Sequence, residues 1–129
     1  MNRVVHFEIY ATNPTETIAF YQQVFGWKIE PWGPPEAEYW HIDTRGENPD
    51  APSAGLDGGL WRRRGPSPLE ESGVNAYTCT IEVENIDTTL DKITSAGGTI
   101  VIAKNQIPGV GWLAYCKDTD GNLFSVVQR

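Results

Sequence analysis

The feature that most constrains the fold of this chain is an internal repeat with a period of about 70 residues. Each copy reads as a strand, a helix and then three further strands. Aligning His6 of the first copy with Thr78 of the second also aligns Ile18 with Leu90. A repeated βαβββ pattern in a chain of 129 residues predicts one α+β domain built from two similar modules.

Each copy has one helix, and its ends carry recognisable signals. Asn13, Pro14 and Glu16 have the spacing of a helix cap, and Gly26 can end the helix in a left-handed conformation. The spacing of the apolar residues predicts a buried face formed by Ile18, Tyr21 and Phe25. In the second copy the helix starts at Asn85, ends at Gly97-Gly98 and has an apolar face of Leu90, Ile93 and Ala96.

Strands are predicted from β-branched and aromatic runs that are bounded by Pro- and Gly-rich loops. Short loops favour antiparallel neighbours and a strand–helix–strand unit favours a parallel pair, so we expect a curved mixed sheet. The turn at 118–121 is better explained by local turn chemistry than by a calcium loop. The strands are predicted at 3–11, 27–31, 37–44 and 56–63 and at 75–83, about 99–104, 110–117 and 122–128. Module 1 covers about 1–64, the linker about 65–74 and module 2 about 75–129 of a single domain, 1–129.

Charge and composition exclude several classes of partner. The formal net charge is -7, which argues against a nucleic-acid-binding surface. The basic run at 62–64 is either a solvated strand end or an anchor for an anionic ligand group. No apolar run of about 18 residues is present, so we expect no membrane partner.

The location is predicted from the cysteines and from the N-terminus. Cys79 and Cys116 are isolated, which is typical of reduced core residues rather than of a metal or redox pair. The N-terminus begins directly in a strand pattern, without a signal peptide. We therefore expect a cytoplasmic protein.

Three segments resemble a known family. HFEIYATNPTETIAFYQQVFGWKI and TIEVENIDTTLDKITSAGG are similar to the openings of vicinal oxygen chelate modules, and YCKDTDGNLFSVVQ is similar to their closing turn and strand. The chain thus resembles the glyoxalase/bleomycin-resistance/extradiol-dioxygenase superfamily, as a glyoxalase-like member. The resemblance implies two modules side by side, each forming half of a cup. In the enzymes of this family, the first and last strands of each module hold a divalent metal in the cup.

Most of the metal-ligand positions implied by the resemblance carry residues that do not bind metals. His6 is a competent ligand on the first strand, but Thr78 occupies the equivalent position of module 2. The last strand of module 1 offers only Leu60, Trp61 and Arg62, and the last strand of module 2 offers Ser125 in place of Glu. We therefore expect no cofactor, with His6 as the single retained ligand position. The alternative is a divalent metal in a rebuilt site of His6 and Glu8 with Glu82 or His41.

Strand alternation suggests which side chains face the cup. His6, Glu8 and Tyr10 share one face of the first strand. His6 and Glu8 are two residues apart, so their side chains need not reach a hydrogen bond. Trp61 and Trp112 either line the cup or pack where the modules meet, and Trp32 can cap the cup. The predicted ligand pocket comprises His6, Glu8, Trp40, Trp61, Thr78, Thr80, Glu82, Trp112, Tyr115 and Ser125.

Two functions of different classes fit these residues. In the first, a metal-free protein binds a flat or cationic small molecule between aromatic walls, with carboxylates such as Glu8 favouring a positive charge. In the second, the chain is a lyase, isomerase or dioxygenase of the glyoxalase type with a rebuilt metal site, or an enzyme that uses His6 and Glu8 as an acid–base pair. Whether the protein is catalytic stays open at this point, and a homodimer is a further expectation drawn from the resemblance.

Overall fold

The computed structural model describes residues 4–48, 50–51, 54–69 and 78–129. Two compact units are distinguished, Met1–Ser67 and Pro68–Arg129, here called unit 1 and unit 2. The predicted linker beyond residue 69 and the first residues of the strand expected at 75–83 lie outside the described residues. So does Arg3, the first residue of the strand expected at 3–11.

Within the described ranges, each unit contains one α-helix and four strands. Unit 1 consists of β1 (Phe7–Ala11), α1 (Pro14–Phe25), β2 (Lys28–Pro31), a 3₁₀ turn (Pro35–Ala37), β3 (Tyr39–Asp43) and β4 (Gly58–Arg62). Unit 2 consists of β5 (Thr80–Glu82), α2 (Ile86–Ser95), β6 (Thr99–Ile107), β7 (Gly111–Lys117) and β8 (Leu123–Gln128).

The two sheets have the same topology. Their strand orders are β1-β4-β3-β2 and β5-β8-β7-β6. The first strand of each unit is parallel to the last, and the other neighbours are antiparallel. Glu8 pairs with Gly59 in unit 1 as Thr80 pairs with Ser125 in unit 2. The predicted repeat, the α+β class and the mixed strand directions are confirmed.

The ends of α1 follow the sequence signals. The Asn13 side chain accepts a hydrogen bond from the backbone N–H of Glu16 at 3.3 Å. Gly26 adopts φ 70° and donates its N–H to the carbonyl of Gln22 at 2.9 Å. A left-handed residue at this place is inexpensive only for glycine, so the predicted helix stop is confirmed with its mechanism.

The buried face of α1 is shifted by one position towards the N-terminus from the predicted face, although Tyr21 is buried as predicted. Ile18 and Phe25 are only half-buried. The spacing 17-20-24 has the same period as 18-21-25, and the polar hydroxyl of Thr17 concealed it in the sequence. The residues of this helix that are buried are Pro14, Thr17, Phe20, Tyr21 and Val24. In α2 the prediction holds for Leu90 and Ile93, whereas Ala96 is the half-buried cap.

Unit 2 confirms the predicted turn, but one of its two cysteines does not have the predicted core position. The Asp118 carboxylate accepts hydrogen bonds from the backbone N–H groups of Asp120 and Asn122 at 2.8 and 2.9 Å, as expected of turn chemistry. Cys116 is buried as predicted, but Cys79 is exposed. Cys79 lies just before β5, where its carbonyl still accepts a hydrogen bond from the backbone N–H of Ser125 at 3.0 Å. Across the described ranges, none of the helices is long and apolar enough to cross a membrane.

Candidate functional site

The sheet of unit 1 has two chemically different faces. Paired residues on neighbouring strands point to the same side, and successive residues alternate. One side contains buried apolar residues such as Ile42 and Leu60, and α1 contacts strands β2 and β4 of this sheet. The opposite side is here called the open face, and it carries Glu8, Tyr39, His41, Gly59 and Trp61. His6, just before β1, reaches this side through Glu8.

His6 and Glu8 form a hydrogen-bonded pair. His6 Nε2 lies 2.9 Å from Glu8 Oε1, so a hydrogen bond that the spacing of two residues left open is present. The two side chains keep 44% and 31% of their surfaces exposed, so the pair is accessible to a ligand from solvent. The hydrogen bond to the carboxylate holds the imidazole in one orientation, which gives the pair potential acid–base chemistry.

Tyr39 occupies the centre of the open face. A Cβ atom added to Gly59 would overlap the Tyr39 hydroxyl, so the phenol lies over the glycine of the neighbouring strand. The ring also contacts Trp61, with centroids 4.5 Å apart and planes tilted by 55°. Partial burial raises the pKa of Tyr39, and the nearby negative charge of Glu8 raises it further. The phenol therefore stays protonated at neutral pH and can donate a hydrogen bond.

Tyr39 is the site residue that sequence reasoning missed. The available signal was Gly58-Gly59 within a strand, because glycine inside a strand often marks a close approach by another group. Which group approaches depends on the register between β3 and β4, where Tyr39 pairs with Trp61 and His41 pairs with Gly59. That register is set by contacts distant in sequence.

Trp32 borders the open face from the loop after β2. Its ring centroid lies 5.7 Å from that of His41, and 64% of its surface is exposed. The Trp32 backbone N–H donates to the carbonyl of Tyr39 at 3.0 Å, which continues the strand ladder into the loop. The ring at the rim of the site is therefore anchored through its backbone while its indole surface stays available.

Trp40 and Trp112 lie on the helix-facing sides of their sheets, contrary to their predicted places in the pocket. Trp40 pairs with Leu60 and lines a cavity of about 240 Å³ with Glu38 and the proline-rich loop at 31–35. Trp112 lies on the side of its sheet opposite Leu113 and Tyr115. Lys104 Nζ lies 5.1 Å above its ring. The same ammonium binds Asp87 of α2 at 2.6 Å. Strand alternation thus separates both rings from the faces that hold the other candidates.

On the corresponding face of unit 2, two hydroxyl groups are bonded to each other. Thr80 Oγ1 and Ser125 Oγ form a hydrogen bond of 2.6 Å, and Tyr115 pairs with Ser125 on the same side. Glu82 lies at 4.0 Å from the Arg129 guanidinium, and Thr78 is half-buried before β5. The two central hydroxyls of this face therefore satisfy each other.

The residues present do not fit the metal centre that the family resemblance implies. The pairing of Thr80 with Ser125 makes Gly59 the equivalent of Ser125, so the β4 position is Gly59 rather than a residue at 60–62. Gly59 has no side chain, and hydroxyls are weak ligands without carboxylate or imidazole partners. Within the part of the chain that the structure describes, no group of three or more His, Cys, Asp or Glu residues can hold a metal ion. Within unit 1, the donors named for a rebuilt site, His6, Glu8 and His41, do not form such a group.

Known structures share this fold at low sequence identity. A glyoxalase-related enzyme from Fulvimarina pelagi is 16% identical with a TM-score of 0.72, covering 100% of this chain and 89% of that one. TioX from Micromonospora sp. ML1 is 20% identical with a TM-score of 0.64, covering 98% of each chain. A mutant of the fosfomycin resistance protein FosX from Listeria monocytogenes, complexed with Mn(II) and 1S,2S-dihydroxypropylphosphonic acid, is 20% identical with a TM-score of 0.70, covering 98% of this chain and 90% of that one. No curated protein matches the chain.

Sequence comparison with protein families gives the same assignment over nearly the whole length. The family model of the glyoxalase/bleomycin resistance protein/dioxygenase superfamily matches residues 3–126. The match covers both units and therefore both copies of the repeat. The chain belongs to the glyoxalase/bleomycin resistance protein/dioxygenase superfamily.

Proposed function

We propose that the protein binds a planar small molecule on the open face of unit 1, without a metal ion. The observation that carries the proposal is the gathering of the Tyr39, Trp61 and His41 rings beside the His6–Glu8 pair, on the side of the sheet opposite the apolar core. Aromatic side chains at a partly exposed site offer flat surfaces on which a planar ligand can stack.

The charges of this region favour a neutral or cationic ligand over an anion. Glu8 lies on this face, on the edge strand β1, and the chain has a formal net charge of -7. A cation over an aromatic face gains about 0.5–2 kcal/mol from the ring quadrupole. In the basic run at 62–64, Arg62 is paired with the Glu38 carboxylate and the Thr12 carbonyl, and Arg63 donates to the Tyr10 carbonyl, so these two guanidinium groups are engaged by acceptors of the protein itself.

The test uses N-methylquinolinium, a flat cation, titrated into the protein while backbone amide shifts are followed by NMR. We expect shifts on β3 and β4, and a dissociation constant about tenfold higher in Trp61→Leu, because the stacking surface is lost. Trp112→Leu is the matched control, since that ring lies on the helix-facing side of unit 2. Equal affinity in the protein and in Trp61→Leu, or no binding at millimolar concentrations, would contradict the proposal.

A second candidate is an enzyme without a metal, and the hydrogen bond between His6 and Glu8 favours it. His6 would act as a general base whose tautomer Glu8 fixes. Deuterium exchange at the carbon next to the carbonyl of dihydroxyacetone, lost in both His6→Ala and Glu8→Gln, would support this candidate. Exchange at the rate of a buffer blank would contradict the proposal of a metal-free enzyme. For the metal-dependent lyase, isomerase or dioxygenase, the donor set does not fit.

A further inference from the structure

The two units fill the same backbone position in different ways. At the centre of unit 2, the Ser125 and Thr80 hydroxyls bind each other at 2.6 Å. At the equivalent place in unit 1, Gly59 leaves a space beside Glu8. The Tyr39 phenol enters this space from β3, and any larger residue at 59 would collide with it. The glycine and the tyrosine therefore form a matched pair.

The Tyr39 ring packs against a neighbouring ring, yet its hydroxyl has no hydrogen-bond partner among the described residues. The ring packs against Trp61 at 4.5 Å, and the backbone carbonyl of Tyr39 accepts from Trp32 at 3.0 Å. Among the residues that the structure describes, none forms a hydrogen bond with the Tyr39 hydroxyl. The carboxylate of Glu8 beside it is already bonded to His6. A fixed donor without a partner is a specificity element for a ligand that carries an acceptor.

We propose that Tyr39 is the polar anchor of the open face, donating a hydrogen bond to an acceptor atom of a heteroaromatic ligand whose ring stacks against Trp61. The inference rests on the proposed function and refines it, because it names planar rings with a nitrogen or oxygen acceptor as the ligand class. The phenol takes the place of the strand side chain that Gly59 lacks.

The burial of the phenol supports its role as a donor. Partial burial and the Glu8 charge both hold the pKa of Tyr39 above its usual value, so the proton stays on the oxygen throughout the neutral range. A buried or half-buried donor that a ligand leaves unpaired costs more than a bond to water, which lets one hydroxyl discriminate between similar rings.

The experiment compares quinoline with naphthalene, which has the same shape but no acceptor atom. Both are titrated at neutral pH into the protein and into Tyr39→Phe, with backbone amide shifts as the readout. We expect the protein to bind quinoline about fivefold more tightly than naphthalene, the value of one net hydrogen bond. In Tyr39→Phe the two affinities should become equal, with naphthalene unchanged. Tyr21→Phe removes a phenol hydroxyl on the helix side of the same unit and should keep the preference.

The outcomes separate the two proposals. A preference for quinoline that survives in Tyr39→Phe would overturn the anchor role while leaving binding on the open face intact. Equal affinities in the unchanged protein would overturn it in the same way. If neither ring binds, or if the shifts fall away from β3 and β4, the anchor role fails, and the proposed function fails with it when N-methylquinolinium does not bind there either.

Discussion

Gly58 and Gly59 are neighbours in β4, yet a methyl group added to each would meet different obstacles. At Gly58 the methyl would strike the backbone carbonyl of Phe7, which cannot move without breaking strand pairing. At Gly59 it would strike only the Tyr39 side chain, which can shift by a small amount without breaking strand pairing. We predict that Gly58→Ala lowers the free energy of unfolding by about 3 kcal/mol and Gly59→Ala by about 1 kcal/mol, measured by urea denaturation.

A double variant checks the cause of the smaller loss. If the phenol is the obstacle, Gly59→Ala should cost almost nothing when Tyr39→Ala is already present. Equal losses for Gly58→Ala and Gly59→Ala, or a cost at Gly59 that persists without the phenol, would contradict the close contact between Gly59 and Tyr39.

The two cysteines should differ in reactivity. Burial raises the pKa of the Cys116 thiol to about 11, so it remains protonated and shielded at pH 8. The pKa of Cys79 is also raised by partial burial, but its side chain is exposed. We predict that Ellman's reagent titrates one thiol in the folded protein, none in Cys79→Ser, and both thiols of the original chain in denaturant. Two reactive thiols without denaturant would show that the β7–β8 region opens readily.

Cys116 also makes stability depend on alkaline pH. Its folded pKa lies above the unfolded value of about 8.5, so the folded state binds more protons between the two values. The stability contributed by the neutral thiol is complete below about pH 8 and is lost as the pH rises towards 11. We expect a smaller alkaline loss in Cys116→Ala, measured as the change in urea midpoint between pH 8 and pH 10. An identical loss in both proteins would assign the effect to other groups.

At the scale of the element, the end of α1 depends on one backbone conformation. Gly26 has φ 70°, and a Cβ atom there would meet nothing within 4 Å, so a substitution suffers conformational strain alone. We predict that Gly26→Val lowers the free energy of unfolding by about 2 kcal/mol. Gly65→Val is the control, because Gly65 is equally uncrowded and its φ is not positive. Equal melting temperatures for the two variants would contradict the helix end at Gly26.

Helix ends and strand identities were predictable because their signals are local. The Asn13 and Asn85 caps and the Gly26 stop each involve neighbours within four residues. The sides on which Trp40 and Trp112 lie depend on the pairing registers of β3 and β7, because a shift of one residue in the register moves every side chain of a strand to the opposite face. The hydrogen bond of His6 with Glu8 depends on rotamers that the strand pattern does not specify.

At the scale of the whole molecule, the superfamily was predictable and the chemistry was not. The spacing of apolar residues in a repeat of about 70 residues determines the fold. This spacing is compatible with many different side chains on the other face of each sheet. Tyr39 became a site residue only through the pairing of β3 with β4. The pocket positions predicted in unit 2, such as Thr80 and Tyr115, stay predictions.

The lack of a fitting donor set leads to a prediction about metals. A site with a dissociation constant of 10 µM would add about 2.7 kcal/mol of stability at 1 mM ion. We expect the melting temperature to change by less than about 1 °C in 1 mM Zn²⁺, Mn²⁺ or Ni²⁺. His6→Ala should fold normally and behave in the same way, because its side chain is 44% exposed. Stoichiometric metal that is lost in His6→Ala would favour the metal-dependent enzyme instead.

The shared pairing of Glu8 with Gly59 and of Thr80 with Ser125 gives the protein an internal reference. Glu8, Tyr39 and Gly59 of unit 1 have counterparts in Thr80, Leu113 and Ser125 of unit 2, which experience the same strand directions. Exchanging Thr80 and Ser125 for Glu and Gly would reproduce the backbone setting of unit 1 but without the tyrosine, since Leu113 occupies the counterpart of position 39. Exchanging residues between the halves can therefore separate the effect of the backbone position on a side chain from the effect of its neighbours. No second protein is needed as the reference.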